Sequence, residues 1–213
     1  MKKTIVWIMG LIVLSGCATA KLSKGPDPAV LIHHDEIAPI GVATAMDERD
    51  SEKIGTIGAT AIVVKKNDLV DLVGNHLVRY INEKIGLNVE RVQVTDNDSI
   101  KLVATKKKVE GVIVLSIKSL KMFSMDALLQ PVEVNLTLEL VVFDEAGQEI
   151  YRRIADGHYE KRIGITVVEK SAGELVEAVV KETLSQYVKD PELKKIIAKF
   201  KYGTLGGAIA QIF

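Results

Sequence analysis

A single cysteine offers the most specific chemistry in this chain. Cys17 is preceded by Leu14, Ser15 and Gly16, and small residues before one cysteine, after a cationic start and a short apolar run, are typical of a bacterial lipoprotein signal. The three residues form the lipobox, in which Ser15 and Gly16 leave room for a peptidase to cleave before Cys17. The pattern predicts a covalent diacylglycerol on the Cys17 thiol, an acyl chain such as palmitate on its freed amine, and no other cofactor.

The residues before the cysteine fit a leader that is removed. Lys2 and Lys3 precede an apolar run at residues 5–13, which is too short for a comfortable permanent span. Two alternative interpretations are an ordinary secretory signal with a chance cysteine and a buried N-terminal helix. Neither explains why all the lipobox positions match. The diacylglycerol and the acyl chain on the amine together supply three acyl chains. Stable membrane anchoring needs two lipid or basic signals, so three chains are sufficient. We therefore expect a membrane anchor.

The residue after the cysteine bears on which membrane holds the anchor. In enteric-type bacteria an aspartate at this position retains lipoproteins at the inner membrane, and most other residues permit export. Ala18 occupies the position here. It predicts the periplasmic face of the outer membrane, with the outer leaflet of the inner membrane as the alternative.

Composition excludes several classes of function. The chain of 213 residues has 28 basic and 28 acidic side chains, and loss of the leader lysines leaves a slight acidic excess, which argues against a nucleic-acid partner. Because the only cysteine is the acylated one, disulfides, thiolate metal sites and a cysteine nucleophile are excluded. The length suits one domain, and 47% apolar residues are ample for its core.

Histidines and neighbouring acids are the candidate metal ligands. The run from His33 to Glu36 contains two histidines and two acids, but adjacent residues rarely converge on one ion, so a solvated linker is the favoured interpretation. His76 lies on an apolar helical stripe, and His158 stands next to polar residues in a strand. We expect a core or rim histidine and a solvated one, and no metal site.

Carboxylates could serve acid and base chemistry if the fold separated their pKa values. Asp47, Glu48 and Asp50 surround Arg49, yet such neighbours usually stay solvated, and the favoured interpretation is that Asp47 and Arg49 organise the loop. The sequence has no Gly-x-Ser-x-Gly elbow, phosphate loop or His-Glu-x-x-His motif. We expect no catalytic residues, and a hydrolase is the weakest alternative.

Hydrophobic periodicity predicts the elements that position these residues. The order is β-(β)-α-β-α-β-β-β-α-α, with a meander of three strands after the second helix. The predicted strands cover residues 37–45, 59–64, 88–94, 111–121, 131–143 and 148–161, and the helices cover 68–85, 98–108, 171–188 and a segment from 191 onward. This pattern predicts an α+β fold, a mostly antiparallel sheet with helices packed on one face.

Four segments follow from these patterns. Residues 1–16 are the predicted signal peptide, and 17–36 a lipidated flexible tether that holds the domain off the bilayer. Residues 37–201 form a single periplasmic domain. Residues 202–213 are a Gly-rich, apolar tail that we expect to pack in a groove or add to a sheet edge.

Apolar residues in unexpected places mark a candidate partner surface. One group follows a predicted strand where a polar turn is expected, and the other lies in the C-terminal tail. An equally weighted alternative for the first group is that the strands extend through it. The candidate residues are Met122, Phe123, Met125, Leu128, Leu129, Ile209, Ile212 and Phe213.

The mature chain resembles the YajG-type uncharacterised outer-membrane lipoproteins. The resemblance rests on the lipobox, on Asp47-Glu48-Arg49 after a first strand, on Ile54-Gly55, and on the helix at 68–85 that ends in Gly86. It implies a small α+β periplasmic domain without assigned enzymatic activity. The last helix and the tail depart from the pattern.

These observations lead to a prediction of function. We expect a lipid-anchored, non-enzymatic interaction protein with a protein partner in an envelope assembly, and a homo-oligomer remains open. The alternative is an auxiliary subunit of a lipid or lipopolysaccharide transport system, with an acyl ligand bound in a cavity between the sheet and the helices.

Overall fold

The computed structural model describes residues 16–25, 40–85, 89–94, 97–124, 131–162 and 168–202. Residues 1–15 of the predicted leader, the histidines at 33 and 34, Gly86 and residues 203–213 of the predicted tail therefore lie outside the described residues, as do Met125, Leu128 and Leu129. Nine strands and four helices fall within the described part. None of the described helices combines the length and apolarity needed to cross a membrane.

Five short strands precede the first helix, and a meander of three long strands follows the second. The elements in chain order are β1 (Cys17–Thr19), β2 (Ile40–Ala43), β3 (Met46–Asp47), β4 (Lys53–Ile57), β5 (Thr60–Val63), α1 (Lys66–Tyr80, continued by a π-helical turn, Ile81–Ile85), β6 (Val89–Val92), α2 (Asn97–Lys107), β7 (Gly111–Phe123), β8 (Val132–Asp144), β9 (Glu149–Lys161), α3 (Val168–Lys189) and α4 (Pro191–Tyr202).

The strands form one mixed sheet in which β7 is the central member. One edge of β7 pairs along its length with β8, which pairs with β9, and both pairings are antiparallel. The other edge is shared by β2, β3 and β4, all parallel to β7. Beyond β4 the order continues through β5 to β1, and beyond β2 lies β6. The long antiparallel pairings confirm the predicted α+β fold with a mostly antiparallel sheet, although five shorter parallel pairings make the sheet mixed.

The main core lies between the sheet and three helices. Every second residue of β8 from Val132 to Val142 is buried in this core, at 0–1% exposure. The alternation in the sequence predicts this side of the strand to face the interior. It packs against the apolar stripes of α1 and α3, such as Leu72 and Val176. α4 joins this layer through Leu193, Ile197 and Phe200.

The expectation that all helices cover one face is wrong for α2. Its Ile100 and Ala104 pack with Val112, Val114 and Phe143, which point to the opposite side of the sheet from the main core. At this end of the meander both faces of the strands are apolar, so each face needs a cover. α2 therefore closes a second, smaller core.

Two further local predictions differ from the structure. The start of the predicted tether is ordered, because Cys17–Thr19 form β1 and pair with β5. The segment around Gly55 and Gly58, whose glycines predict a loop, contains β4. Both strands are short and rich in small residues, so their alternation signal was weak.

A buried aspartate begins the last helix. Asp190 Oδ1 accepts the backbone N–H groups of Glu192 and Leu193, as an N-cap residue does, and Pro191 occupies the first turn. Asp190 Oδ2 accepts hydrogen bonds from Tyr151 and Arg153 of β9. Although burial opposes ionisation, these hydrogen bonds keep the pKa of Asp190 below its usual value. The cap thus also fixes α4 to the sheet.

Candidate membrane-anchor site

Cys17, the residue predicted to carry the anchor, begins an ordered edge strand. Cys17 pairs in parallel with Ala61 of β5, and Ala18 pairs with Ile62. The Ala61 N–H donates to the Gly16 carbonyl at 3.1 Å, and the Ala20 N–H donates to the Val63 carbonyl at 2.8 Å. Ala18 and Ala20 are buried at 7% and 2% exposure, whereas Cys17 is exposed. The thiol is thus accessible on the side of β1 opposite the main core.

The residues after β1 continue along the helices as an ordered segment. We call residues 20–25 the N-terminal strap. Its Lys21 N–H reaches the Glu169 carbonyl at 3.4 Å, and its Ser23 hydroxyl donates to Glu177 of α3 at 2.9 Å. The Asn75 side chain of α1 donates to the Lys24 carbonyl at 2.5 Å. The strap therefore joins β1 to both α1 and α3.

Close packing on α3 fixes the strap further. A Cβ atom on Gly173 would lie 2.1 Å from the Lys21 carbonyl oxygen, so the strap backbone passes directly over this glycine. A side chain there would displace either the helix or the strap, because the obstructing atom belongs to the backbone. Gly173 is thus required for the strap to dock.

His76 is a buried residue of α1 that faces α3. It is 4% exposed, which confirms the predicted core or rim histidine, and its Nε2 atom is 3.8 Å from Glu177 Oε1. Burial lowers the pKa of His76 below its ordinary value, and Lys181 lowers it further. Glu177 acts in the opposite direction, and Arg79 adds a further lowering contribution. His76 is therefore held neutral in the folded state.

This burial predicts a pH dependence of stability. A histidine whose pKa is lower in the folded state than in the unfolded state stabilises the fold fully above the unfolded value of about 6.5, and that contribution is lost as pH falls through the folded pKa. From pH 7.5 downward we expect the wild-type chain to lose unfolding free energy that His76→Gln retains. Urea unfolding of both chains across this window measures the difference. Equal slopes would contradict a neutral, buried His76.

The predicted loop role of Asp47 and Arg49 is confirmed. The Arg49 guanidinium donates to both Asp47 carboxylate oxygens at 2.7–3.0 Å, and both side chains are almost fully buried. Arg49 also donates to the Val64 carbonyl at 3.2 Å. Asp47 is thus engaged in an ion pair that links β3 to the end of β5.

A charge network covers part of the open sheet face, the face opposite α1 and α3. Lys118 Nζ lies 2.7 Å from Glu48 and 2.8 Å from Glu139, and Arg152 Nη1 lies 2.6 Å from Glu139. Hydrogen bonds from Lys118 lower the pKa of both glutamates. An acid and a base in catalysis need pKa values driven apart, and here both move in the same direction. The network is suited to stabilising the sheet.

The structure does not bring the other hydrolase candidates together. His158 is exposed on the open face, with Nδ1 2.8 Å from Asn135 Oδ1, whereas His76 lies in the helical layer. Asp47 is paired with Arg49. Within the described ranges there is no cluster of three or more metal-ligating side chains.

The candidate partner residues divide between core and surface. Met122 is 1% exposed and belongs to the main core, so its assignment to a partner surface is wrong. The strand continues through this position and alternates, which leaves Phe123 52% exposed. Sequence reasoning missed Ile150 and Ile154, at 41% and 57% exposure, because they alternate within a strand that also carries charges.

A surface cavity of about 500 Å³ lies between α4 and the start of β9. It is outside the main core between the sheet and the helices α1 and α3, where an enclosed acyl ligand would bind. Half of its lining residues are charged. The lining consists of Ile150, Pro191, Glu192, Lys195, Ile196 and Lys199.

Comparison with known proteins found no matching family model and no matching curated protein. Among solved structures, protein XCC0632 of the DUF330 family from Xanthomonas campestris is 12% identical, with 87% of this chain and 95% of that chain covered and a TM-score of 0.46. PelC from Paraburkholderia phytofirmans, a dodecamer, is 8% identical over 77% of this chain and 88% of its own, also at 0.46. A minor lipoprotein from Acinetobacter baumannii is 12% identical over 76% and 94%, at 0.44. Scores at this level assign neither a family nor a function to the chain, and the YajG-type resemblance stays a prediction.

Proposed function

We propose that this chain is a lipid-anchored, non-catalytic interaction protein of the bacterial envelope. The observation that carries the proposal is the lipobox ending in Cys17, followed without a gap by the first strand of the domain. The exposed thiol at the start of β1 is compatible with a diacylglycerol there. The anchor determines which partners the domain can meet, and we propose a protein partner in an envelope assembly.

The proposed location is the periplasmic face of the outer membrane, and it rests on Ala18 at the sorting position. Ala18 packs into the main core at 7% exposure, and a buried, unpaired carboxylate at this position would be strongly unfavourable. The aspartate that signals retention at the inner membrane is therefore incompatible with a docked β1. The fold and the sorting position favour the same residue type.

The non-catalytic part of the proposal rests on how the polar side chains are used. Asp47 forms a buried ion pair, and Glu139 is shared between Lys118 and Arg152. His76 and His158 lie on opposite sides of the sheet. The transport alternative is less favoured, because the space between sheet and α3 is filled by side chains such as Leu138 and Val179, both 0% exposed.

Metabolic labelling with palmitate tests the anchor. We expect the full chain to incorporate label and to fractionate with outer-membrane material, because Cys17 is the only thiol. Cys17→Ser should lose both the label and the cleavage of the leader. The double variant Cys17→Ser/Ser23→Cys, which moves the only thiol six residues along the chain, is the matched control and should stay unlabelled.

Two outcomes would overturn the proposal. One is absence of label from the wild-type chain. The other is a Cys17→Ser chain that is still processed and still recovered with the envelope like wild type. A protein partner is tested by crosslinking in intact cells, with the acylated chain as bait and Cys17→Ser as the control that should lose the crosslinks.

A further inference from the structure

Four residues form one row across the sheet at the end where β7 terminates. Cys17 pairs with Ala61, and Ala61 pairs with Thr56 of β4. Gly55 pairs with Met122 in the parallel β4–β7 contact, so the next residue, Thr56, lies beside Phe123. Three strand spacings separate Cys17 from Phe123, which is about 14 Å.

All four residues belong to the open face of the sheet. Their chain neighbours Ala18, Ile62 and Met122 are buried in the main core, and successive side chains of a strand point to opposite faces. Cys17 and Thr56 are exposed, and Phe123 is 52% exposed. The anchor cysteine and an exposed aromatic ring thus share one face and one level of the sheet.

The anchor has no free linker on the protein side. β1 is hydrogen-bonded to β5 from Gly16 onward, and the strap continues on α3 and α1 through Lys21, Ser23 and Lys24. Acyl chains on Cys17 would therefore hold this row within a few ångströms of the lipid headgroups. A flexible tether would have allowed the domain to rotate freely at a distance.

The row becomes acidic beyond Phe123. Phe123 pairs with Glu133, and Glu133 pairs with Glu160 of β9, both exposed. Charged carboxylates are expensive to move into hydrocarbon, whereas phenylalanine is a common residue on the buried face of interfacial segments, which insert by about 5–10 Å. The β1–β7 half of the row is suited to lipid, and the β8–β9 half to water.

We propose that the bilayer surface is the partner of this row, so that acylated Cys17 and Phe123 together seat the β1–β7 end of the open sheet face on the membrane. This inference rests on the proposed acylation of Cys17. The domain then has a fixed orientation, with Thr56 near the headgroups. The turn between β8 and β9, at the opposite end of the sheet, then points away from the membrane.

Depth measurements on the acylated chain test the orientation. The mature protein is reconstituted in vesicles of phosphatidylethanolamine and phosphatidylglycerol. Because Cys17 is the only native cysteine and its thiol is acylated, a cysteine introduced by Thr56→Cys can be labelled alone with a fluorophore. We expect severalfold stronger quenching by nitroxide lipids at Thr56→Cys than at Glu145→Cys, which lies in the β8–β9 turn at the other end of the sheet.

Two variants separate the contributions of the ring and the strap. Phe123→Ser should reduce quenching at position 56 while the acyl label stays. Gly173→Ala places a methyl group 2.1 Å from the Lys21 carbonyl and should release the strap, so quenching at position 56 falls toward the value at position 145. Glu174→Ala, an exposed substitution one residue along α3, should leave quenching unchanged.

Trypsin gives a second readout that does not depend on the probe. Cleavage after Lys21 or Lys24 separates the domain from its anchor, and the docked strap should protect both sites in the vesicle-bound wild-type chain. Gly173→Ala should be released from vesicles faster than Glu174→Ala.

The outcomes distinguish this inference from the proposed function. Equal quenching at positions 56 and 145 in an acylated chain would overturn the fixed orientation and leave the anchor intact. Rapid release of the wild-type domain from vesicles by trypsin would show that the strap is a free linker. That result would also overturn the fixed orientation. Failure of acylation itself would appear earlier, as a chain without palmitate label that does not bind vesicles.

Discussion

The variant Arg49→Leu is expected to lose about 4 kcal/mol of unfolding free energy, because truncation of one partner of a buried ion pair leaves the other charge unpaired. Both side chains of the pair are almost fully buried, at 4% exposure for Arg49 and 3% for Asp47. Arg49 also donates to the Val64 carbonyl. The substitution removes that hydrogen bond and leaves the Asp47 carboxylate without its guanidinium partner.

The position of the pair explains why its loss would affect the anchor. The Lys66 ammonium group donates to the Arg49 carbonyl, and the Lys66 N–H donates to Glu52. These contacts join the loop after β3 to the start of α1, while Arg49 itself reaches the end of β5. Since β5 carries β1, the loop supports the strand that begins at Cys17.

Two comparisons test whether the loss of unfolding free energy comes from the burial of the Asp47–Arg49 pair and from the unpaired charge that Arg49→Leu leaves. Arg79→Leu removes an arginine from an exposed pair with Glu83 and should change stability by less than about 1 kcal/mol. The double variant Asp47→Ala/Arg49→Leu should be less destabilised than the sum of its single variants, since no unpaired charge remains. Urea unfolding measures Arg49→Leu, Asp47→Ala, the double variant and Arg79→Leu, each in the mature chain that carries Cys17→Ser. A loss for Arg49→Leu no larger than for Arg79→Leu would contradict the role of the pair.

Regular periodicity made the largest elements predictable. The β7–β9 meander and α1 follow from alternation and from a helical stripe, because one face of each element is buried and the other is wet. The interior side of β8 could be assigned residue by residue for the same reason. The position of His76 on the α1 stripe likewise predicted its burial.

Pairing between distant strands could not be predicted in the same way. β4 joins β7 at one residue pair, Gly55 with Met122, and β1 joins β5 over three. Such contacts depend on small residues that let backbones approach, and these residues carry little periodic signal. For this reason the sequence predicted a tether where the structure has a strand.

Only the chemistry of the anchor site was accessible from the sequence. The lipobox predicts acylation of Cys17 from local residue types alone. Its neighbours in space, Ala61, Thr56 and Phe123, come from three other strands, and no local pattern connects them. The orientation of the domain is therefore a property of the fold, whereas the attachment is a property of the motif.

Gly55→Ala is expected to lower the unfolding free energy by about 4 kcal/mol, from overpacking against backbone together with backbone strain. A Cβ atom at Gly55 would lie 1.8 Å from the Met122 carbonyl oxygen, and the Gly55 φ is +158°. The Met122 oxygen cannot move aside, because its strand pairs with β8 and its side chain is buried.

Gly58→Ala in the same hairpin is the matched control for Gly55→Ala. Its φ is +57°, and a Cβ atom there would meet open space, so only the left-handed conformation is penalised, by about 1 kcal/mol. Urea unfolding compares the two, and equal losses would contradict the close approach of β4 to β7. Because Gly55 is the position at which β4, β5 and β1 attach to the central strand, Gly55→Ala should also uncouple the acylated cysteine from Phe123. In vesicles its depth profile should therefore resemble that of Gly173→Ala, although the two substitutions lie on different sides of the anchor strand.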